Sequence, residues 1–185
     1  VCMSMTLRYL VLATLITTYG VPAQSFAADG EVVSLMGTVT AQRGIQLTTL
    51  KPGDHVNASD IISTGDRSIV RFGMSDDGFF AMPSNSSLRI DQHVLPKKTS
   101  EKKTGRAFFS LLKGGFRTVT GLLGKVSQDS YKVVTPVATL GVRGTEYQVF
   151  YIPPTAVAGT VRKGSLSLFV ISGTVSVTAT VNGIT

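Results

Sequence analysis

Val134-Thr-Pro-Val-Ala-Thr-Leu-Gly-Val-Arg-Gly-Thr-Glu-Tyr-Gln-Val149 is the stretch on which the reading of this 185-residue chain turns. A strand ends at Thr135-Pro136, because proline fixes φ and has no N–H to give to a ladder. An apolar run follows, then a bend that Gly141 and Gly144 permit around Arg143. The chain leaves that bend as an alternating strand in which Tyr147 and Val149 oppose Glu146 and Gln148. The planar guanidinium of Arg143 offers a fork of donors to the Glu146 carboxylate or to carbonyls of the turn, which would pin a tight corner of a sheet. The other use of such a fork is to hold a ligand.

Outward from this stretch the chain continues as short β-like runs. Val33, Leu35, Gly37, Val39 and Ala41 share one face of an opening strand, with Ser34, Thr38, Thr40 and Gln42 on the other. Further runs lie at Ile69–Met74, Phe79–Met82, Ser87–Asp91, Phe116–Thr120, Tyr131–Val134, Gly144–Ile152, Ala156–Arg162, Leu166–Ile171 and Thr174–Val181. Phe108, Phe109, Leu111 and Leu112 suit one helical turn as well as a buried strand. A strand ending at Gly114-Gly115 is the better fit to so β-rich a chain. Pro52-Gly53-Asp54, Thr64-Gly65-Asp66, Ser75-Asp76-Asp77-Gly78 and Pro83-Ser84-Asn85 read as turns, and so does the Gly121–Gly124 region. Asp76-Asp77-Gly78 lacks the run of oxygen ligands and the closing Glu that a calcium loop needs.

Composition points the same way. Val, Ile and Thr together number 53, whereas Glu occurs three times and Ala twelve. Strand formers outweigh helix formers, and 43% hydrophobic against 16% charged residues is too apolar for disorder. The expectation is an all-β fold, a β-roll or solenoid-like arrangement or a sandwich of many short strands.

Residues 1–28 read as a secretory signal peptide. Arg8 precedes an apolar run from Tyr9 to Tyr19, and Ser25-Phe26-Ala27-Ala28 supplies a small-x-small cleavage site before Asp29 and Glu31. The apolar run is too short for a membrane span, which needs about 20 residues. Val1 is compatible with an alternative start codon, with Met3 and Met5 as other starts. Cleavage near Ala27 or Ala28 removes Cys2, the one cysteine, and with it thiol nucleophiles, disulfides and thiolate metal sites. Loss of Arg8 takes the net charge from +7 to +6. The expected domain is therefore 29–185, periplasmic or secreted, with no transmembrane span. Asn182-Gly183 opens a hairpin turn whose second strand is not completed by Thr185, as in a truncated product.

Much of the charge is local. Lys97, Lys98, Lys102, Lys103 and Arg106 face only Glu101 in a basic loop at 96–106, a solvated excursion by its composition. An anionic polymer such as a glycan is the contact it could make; nucleic acid does not suit an exported chain.

Catalytic signatures are missing. His55 and His93, the two histidines, sit in polar, surface-like settings, and the chain has neither a Gly-x-Ser-x-Gly elbow nor a His-Glu-x-x-His pair. A non-enzyme without cofactor or metal site is expected.

Together these elements resemble the FecR-type domain. The resemblance rests on the order of Leu50-Lys-Pro-Gly-Asp54, Thr64-Gly65, Asp77-Gly78-Phe79, Met82-Pro83-Ser84, Leu112–Gly115 and Thr135-Pro136. Above all it rests on Gly141-Val-Arg-Gly-Thr-Glu-Tyr147, followed by Val161–Gly164. It implies a β-rich domain of the bacterial envelope, whose better-known relatives regulate sigma factors across a membrane. Without a cytoplasmic helical portion or an internal span in this sequence, the expectation is a stand-alone exported module for protein–protein interaction or signal transduction with an envelope partner. The alternative is a module that binds cell wall, peptidoglycan or anionic glycan. Within the family motif, Thr135, Pro136, Gly141, Arg143, Gly144, Thr145, Glu146 and Tyr147 are expected to serve structure.

Overall fold

The computed structural model describes residues 28–96, 105–157 and 160–180. Residues 1–27 of the expected leader, Lys97, Lys98, Lys102 and Lys103 of the basic loop, and the terminal 181–185 lie outside the described residues.

Among those described, the strands in chain order are β1 Gly30–Met36, β2 Val39–Arg43, β3 Gln46–Thr49, β4 His55–Val56, β5 Ile61–Thr64, β6 Ile69–Met74, β7 Phe79–Met82, β8 Ser87–Val94 and β9 Arg106–Val119. After a 3-10 turn at Leu123–Lys125 come β10 Tyr131–Val134, β11 Ala138–Ile152, β12 Thr155–Val157, β13 Thr160–Arg162 and β14 Ser165–Ala179. The molecule is all-β, as its valine and threonine content dictates. Twelve strands form one sheet that curls into a half-barrel. β12 and β13 make a separate hairpin.

Most of the sheet follows the path β3-β2-β5-β8-β9-β7-β6-β1-β4. β9 is its spine. On one side its first part pairs with β8 and its last residues with β7; on the other it pairs in parallel with β10 and then antiparallel with β11. β14 pairs with β11.

β9 changes face part-way. Ala107, Phe109 and Leu111 point into the core on odd numbers, Phe116 and Thr118 on even ones. The switch falls at Gly114, whose φ of +72° belongs to glycine and whose missing Cβ leaves room for Ser86. The Ser86 hydroxyl accepts from the Gly115 N–H at 3.0 Å. The strand read at Phe108–Leu112 is therefore present, but it runs on through the glycine pair instead of ending there.

Other boundaries also differ from the sequence reading: Ser87–Asp91 extends to Val94, and the strand expected at Gly144–Ile152 starts at Ala138 and passes through Gly141 and Gly144 with a bulge where a bend was expected. The opening run is two strands, β1 and β2, parted at Gly37, where φ is +79°. A register shift between Val32 and Ser34 buries Val32 and leaves Val33 62% exposed. The run read at Ala156–Arg162 falls on two paired strands, β12 and β13, and those read at Leu166–Ile171 and, as far as Ala179, at Thr174–Val181 are one long strand, β14, passing through Gly173 at φ +86°.

The core is a connected set of rings. Phe80 stacks on Phe72 at 5.2 Å and meets Phe109 at 4.8 Å and Phe116 at 5.2 Å. From there Phe109 reaches Tyr131 at 5.4 Å, and Phe116 reaches Tyr147 at 5.9 Å, edge to face. Strands β6, β7, β9, β10 and β11 each contribute, so the rings tie the two sides of β9 together.

Candidate functional site

The motif strand β11 and the edge strand β14 share a bulge. Their register shifts between Arg143 and Glu146, with Gly144 at φ +57° and Gly173 at φ +86° facing each other across it. A Cβ on Gly173 would collide with the Gly144 carbonyl and the Thr145 backbone. Thr145 is the clamp of this corner. Its hydroxyl donates to the carbonyls of Arg143 at 2.8 Å and Thr174 at 3.1 Å, and its N–H donates to Thr120 Oγ1 at 2.9 Å. At the other end of the motif, Thr135 is buried, and its Oγ1 accepts from the Ala138 N–H at 2.9 Å, closing the β10–β11 turn beside exposed Pro136. Gly141 is buried, and its carbonyl accepts from Ser176 Oγ at 3.2 Å.

The anticipated pairing of Arg143 with Glu146 does not form. Glu146 is engaged by Arg117 of β9, because the bulge carries Glu146 round to the ladder with β9 and leaves Arg143 exposed beside β14. Tyr147 is fully buried as an aromatic wedge. Its hydroxyl and that of Tyr131 are buried without a hydrogen-bond partner, and burial pushes both phenols well above their ordinary range. Arg106, the described member of the basic loop's charges, is exposed at the start of β9 and lines a shallow hollow with Lys132 and Asp129.

His93 overturns the surface setting read for it. Its side chain is 1% exposed, with Nε2 3.3 Å from Asp76 Oδ1 and Nδ1 3.4 Å from Ser75 Oγ and 3.6 Å from Asp29 Oδ1. Asp76 also accepts from the N–H groups of Leu123 at 3.1 Å and Gly78 at 3.2 Å, while Asp29 Oδ2 accepts from Ala58 N–H at 2.6 Å. Burial, the strongest single influence, pushes the Asp76 carboxyl up, yet these hydrogen bonds and the attraction of His93 hold it below its ordinary value. Ser, His and Asp are the residue types of a nucleophile relay, but here the serine and the carboxylates enclose both ring nitrogens. The cluster works as a latch joining the entry to β1, the turn before β7, β8 and the loop after β9. Sequence reasoning took Asp76 only as a turn residue, a role it also fills. A second lock, the bidentate pair of Arg43 with buried Asp60 at 2.7 Å, was equally hidden.

His55 is exposed on β4 and borders an open hollow of about 620 Å³ with Gly30, Glu31, Gly53, Gly73 and Ser75. Among the described residues no group of three His, Cys, Asp or Glu side chains is disposed to hold a metal ion, and no helix is long and apolar enough to cross a membrane.

The surface that stands out is β14. Its 15 residues include no charge and no proline. Leu166, Leu168 and Val170 pair with buried Tyr151, Val149 and Tyr147, and Val175, Val177 and Ala179 pair with buried Val142, Leu140 and Ala138. The core face thus continues onto β14, where it is covered only in part: Leu166, Leu168 and Val175 pack against the core, while Val170 is 46% and Val177 54% exposed. Phe169, which pairs with Gln148, and Ile171, which falls in the register shift opposite Glu146 and Tyr147, are 58% and 52% exposed.

Residues 60–176, from the start of β5 into β14, match the family model described as FecR protein. No curated protein and no solved structure matches the chain.

Proposed function

The chain belongs to the FecR protein family, and on that premise we propose that it is an exported, non-catalytic module that binds a protein partner in the bacterial envelope. A regulatory role in signal transduction comes with the family. The observation that supports a contact role is β14: a long, uncharged strand whose outer edge no other described strand occupies and whose apolar face is half uncovered, lying directly against the motif strand β11. Extended strands recruit partners through their backbone edge, and alternate side chains supply selectivity. The leader read at residues 1–28 supports export, and the envelope setting follows from it.

A photo-crosslinking residue at Phe169, compared with one at Arg71 on β6, tests the reading in living cells. Discrete adducts in the envelope fraction are expected from position 169 and not from position 71. No adduct at either, together with sedimentation of the protein with purified peptidoglycan at low salt, would move the function to the cell-wall alternative. Retention of the chain in the cytoplasm would remove the envelope setting.

A further inference from the structure

We propose that the His93 latch is a pH-sensitive hold on the entry to β1: the ring grips Asp29 only in its doubly protonated form, whereas it keeps Asp76 in either form. This goes beyond the contact role of β14 and does not depend on it.

The asymmetry lies in what each ring nitrogen faces. Nε2 faces Asp76 Oδ1 at 3.3 Å, and a carboxylate oxygen can only accept. That nitrogen therefore keeps its proton in the neutral ring as well as in the cation. Nδ1 faces two groups, Ser75 Oγ at 3.4 Å and Asp29 Oδ1 at 3.6 Å. When Nδ1 is protonated, the cation attracts the Asp29 carboxylate and the serine oxygen accepts. When Nδ1 is bare, the Ser75 hydroxyl turns and donates to it, but the Asp29 carboxylate then faces a lone pair. Ser75 serves both forms and Asp29 only one.

The groups around the ring leave this difference in control. Asp29 comes from the entry to β1 and Asp76 from the turn before β7. The loop after β9 brings the Leu123 N–H, already donated to Asp76, and β10 brings the Tyr131 phenol, whose proton the Asp76 charge helps to retain. On β8 itself Asp91 is occupied by Arg89 and Ser110. With its side chain 1% exposed, His93 feels the two facing carboxylates with little screening.

The proton thereby acts on one wall of the hollow beside β4. Asp29 anchors two other segments: its carbonyl accepts from the Ser75 N–H at 2.8 Å, and its Oδ2 accepts from the Ala58 N–H at 2.6 Å. Ala28, Gly30 and Ser75 line the hollow that Glu31 and His55 border. A doubly protonated ring fixes Asp29 and with it that side of the hollow. As pH rises through the range in which imidazoles titrate, the hold on Asp29 fades and the wall loosens, while β8 stays tied through Asp76.

Amide hydrogen exchange followed by NMR reads the two arms separately, in a His55→Gln background that leaves His93 as the one imidazole. Ala58 and Ser75 report on Asp29, Gly78 and Leu123 on Asp76. Between about pH 5 and about pH 8, after correction for intrinsic rates, protection at Ala58 and Ser75 should fall about fivefold, roughly the worth of one ion pair. Gly78 and Leu123 should change less than about twofold. Asp29→Asn keeps an oxygen for the Ala58 N–H but no charge for the ring, and should flatten the response at Ala58 and Ser75. No loss at Ala58 and Ser75, an equal loss at all four amides, or a response that survives Asp29→Asn would overturn the proposal. Should Asp29→Asn fail to fold, the contrast between the two pairs of amides decides alone.

Discussion

Strands β1 to β8 are two to eight residues long and are stitched by side chains, whereas β11 and β14 run for 15 residues each and hold one another by their backbone ladder. The Asp29–His93–Asp76 latch, the Arg43–Asp60 fork and the reciprocal bonds of Ser68 with Ser84 at 2.9 and 3.0 Å all lie in the first group. A short strand contributes few ladder bonds, so its place must be fixed by buried polar contacts with defined geometry. The long ladder relies mainly on its backbone, with the Thr145–Thr174 and Ser176–Gly141 bonds added at its bulge and toward its far end, and most side chains of β14 stay exposed. Stability and contact surface are thereby divided between the two ends of one sheet.

The largest expected effect bears on the ring cluster where the two ends meet. Phe80→Ala should cost about 3–5 kcal/mol in chemical denaturation, since Phe80 touches three other rings. A loss below about 1 kcal/mol would mean that the two ends do not share a core. Next comes the latch: Asp76→Ala should cost about 2–3 kcal/mol by leaving His93 and two N–H groups short of a partner. Its pH dependence has a definite sign. Asp76 is held below its ordinary value of 3.8 in the folded chain, so its contribution is complete above that value and fades as pH falls through the lower, folded one. Acid unfolding of the parent chain should therefore be steeper below about pH 4 than that of Asp76→Ala.

Smaller effects sharpen the comparison on the β11–β14 side. Tyr147→Phe removes a buried, unpartnered hydroxyl and should be neutral or stabilising by up to about 1 kcal/mol, measured as a melting shift. A clear loss would show that the motif needs the phenol and not only the ring. Phe169→Ser should leave the unfolding free energy within about 0.5 kcal/mol, as expected for an exposed position. A larger loss would show that β14 carries stability after all and would blur the division.

Much of this was legible from sequence. Ile69–Met74, Phe79–Met82 and Tyr131–Val134 are strands at those bounds, because regular alternation between turn residues reports a half-buried strand directly. β3, β4 and β5 show no such alternation: Gln46–Thr49 has one apolar residue and is exposed throughout, His55–Val56 is two residues long, and Ile61–Thr64 sets its two isoleucines side by side. His93 shows how the rest was lost. Leu88 and Ile90 face inward, and strict alternation would next bury Gln92, but a register shift between Ile90 and Gln92 turns His93 inward instead. The shifts at Val33 and within Arg143–Glu146 misled in the same way, the second exchanging the partner of Glu146. Asp29, Asp76 and His93 are distant in the chain, and only the closed sheet brings them together. For the site, the motif's structural role could be read from its glycines and threonines, while the exposed β14 depended on knowing that no described strand lies beyond it.

The position of β9 also dictates how the molecule becomes one sheet. β7 and β8 are consecutive in the chain but do not pair with each other; each pairs with its own stretch of β9. Without Arg106–Val119 the strand ladders before it fall into two groups, β3-β2-β5-β8 and β7-β6-β1-β4, joined only by side-chain and loop bonds such as Asp29 to His93 and Thr38 to Ser68. Such non-local pairing is slow. One segment in the middle of the chain is thus the element through which two sets of ladders become a single sheet.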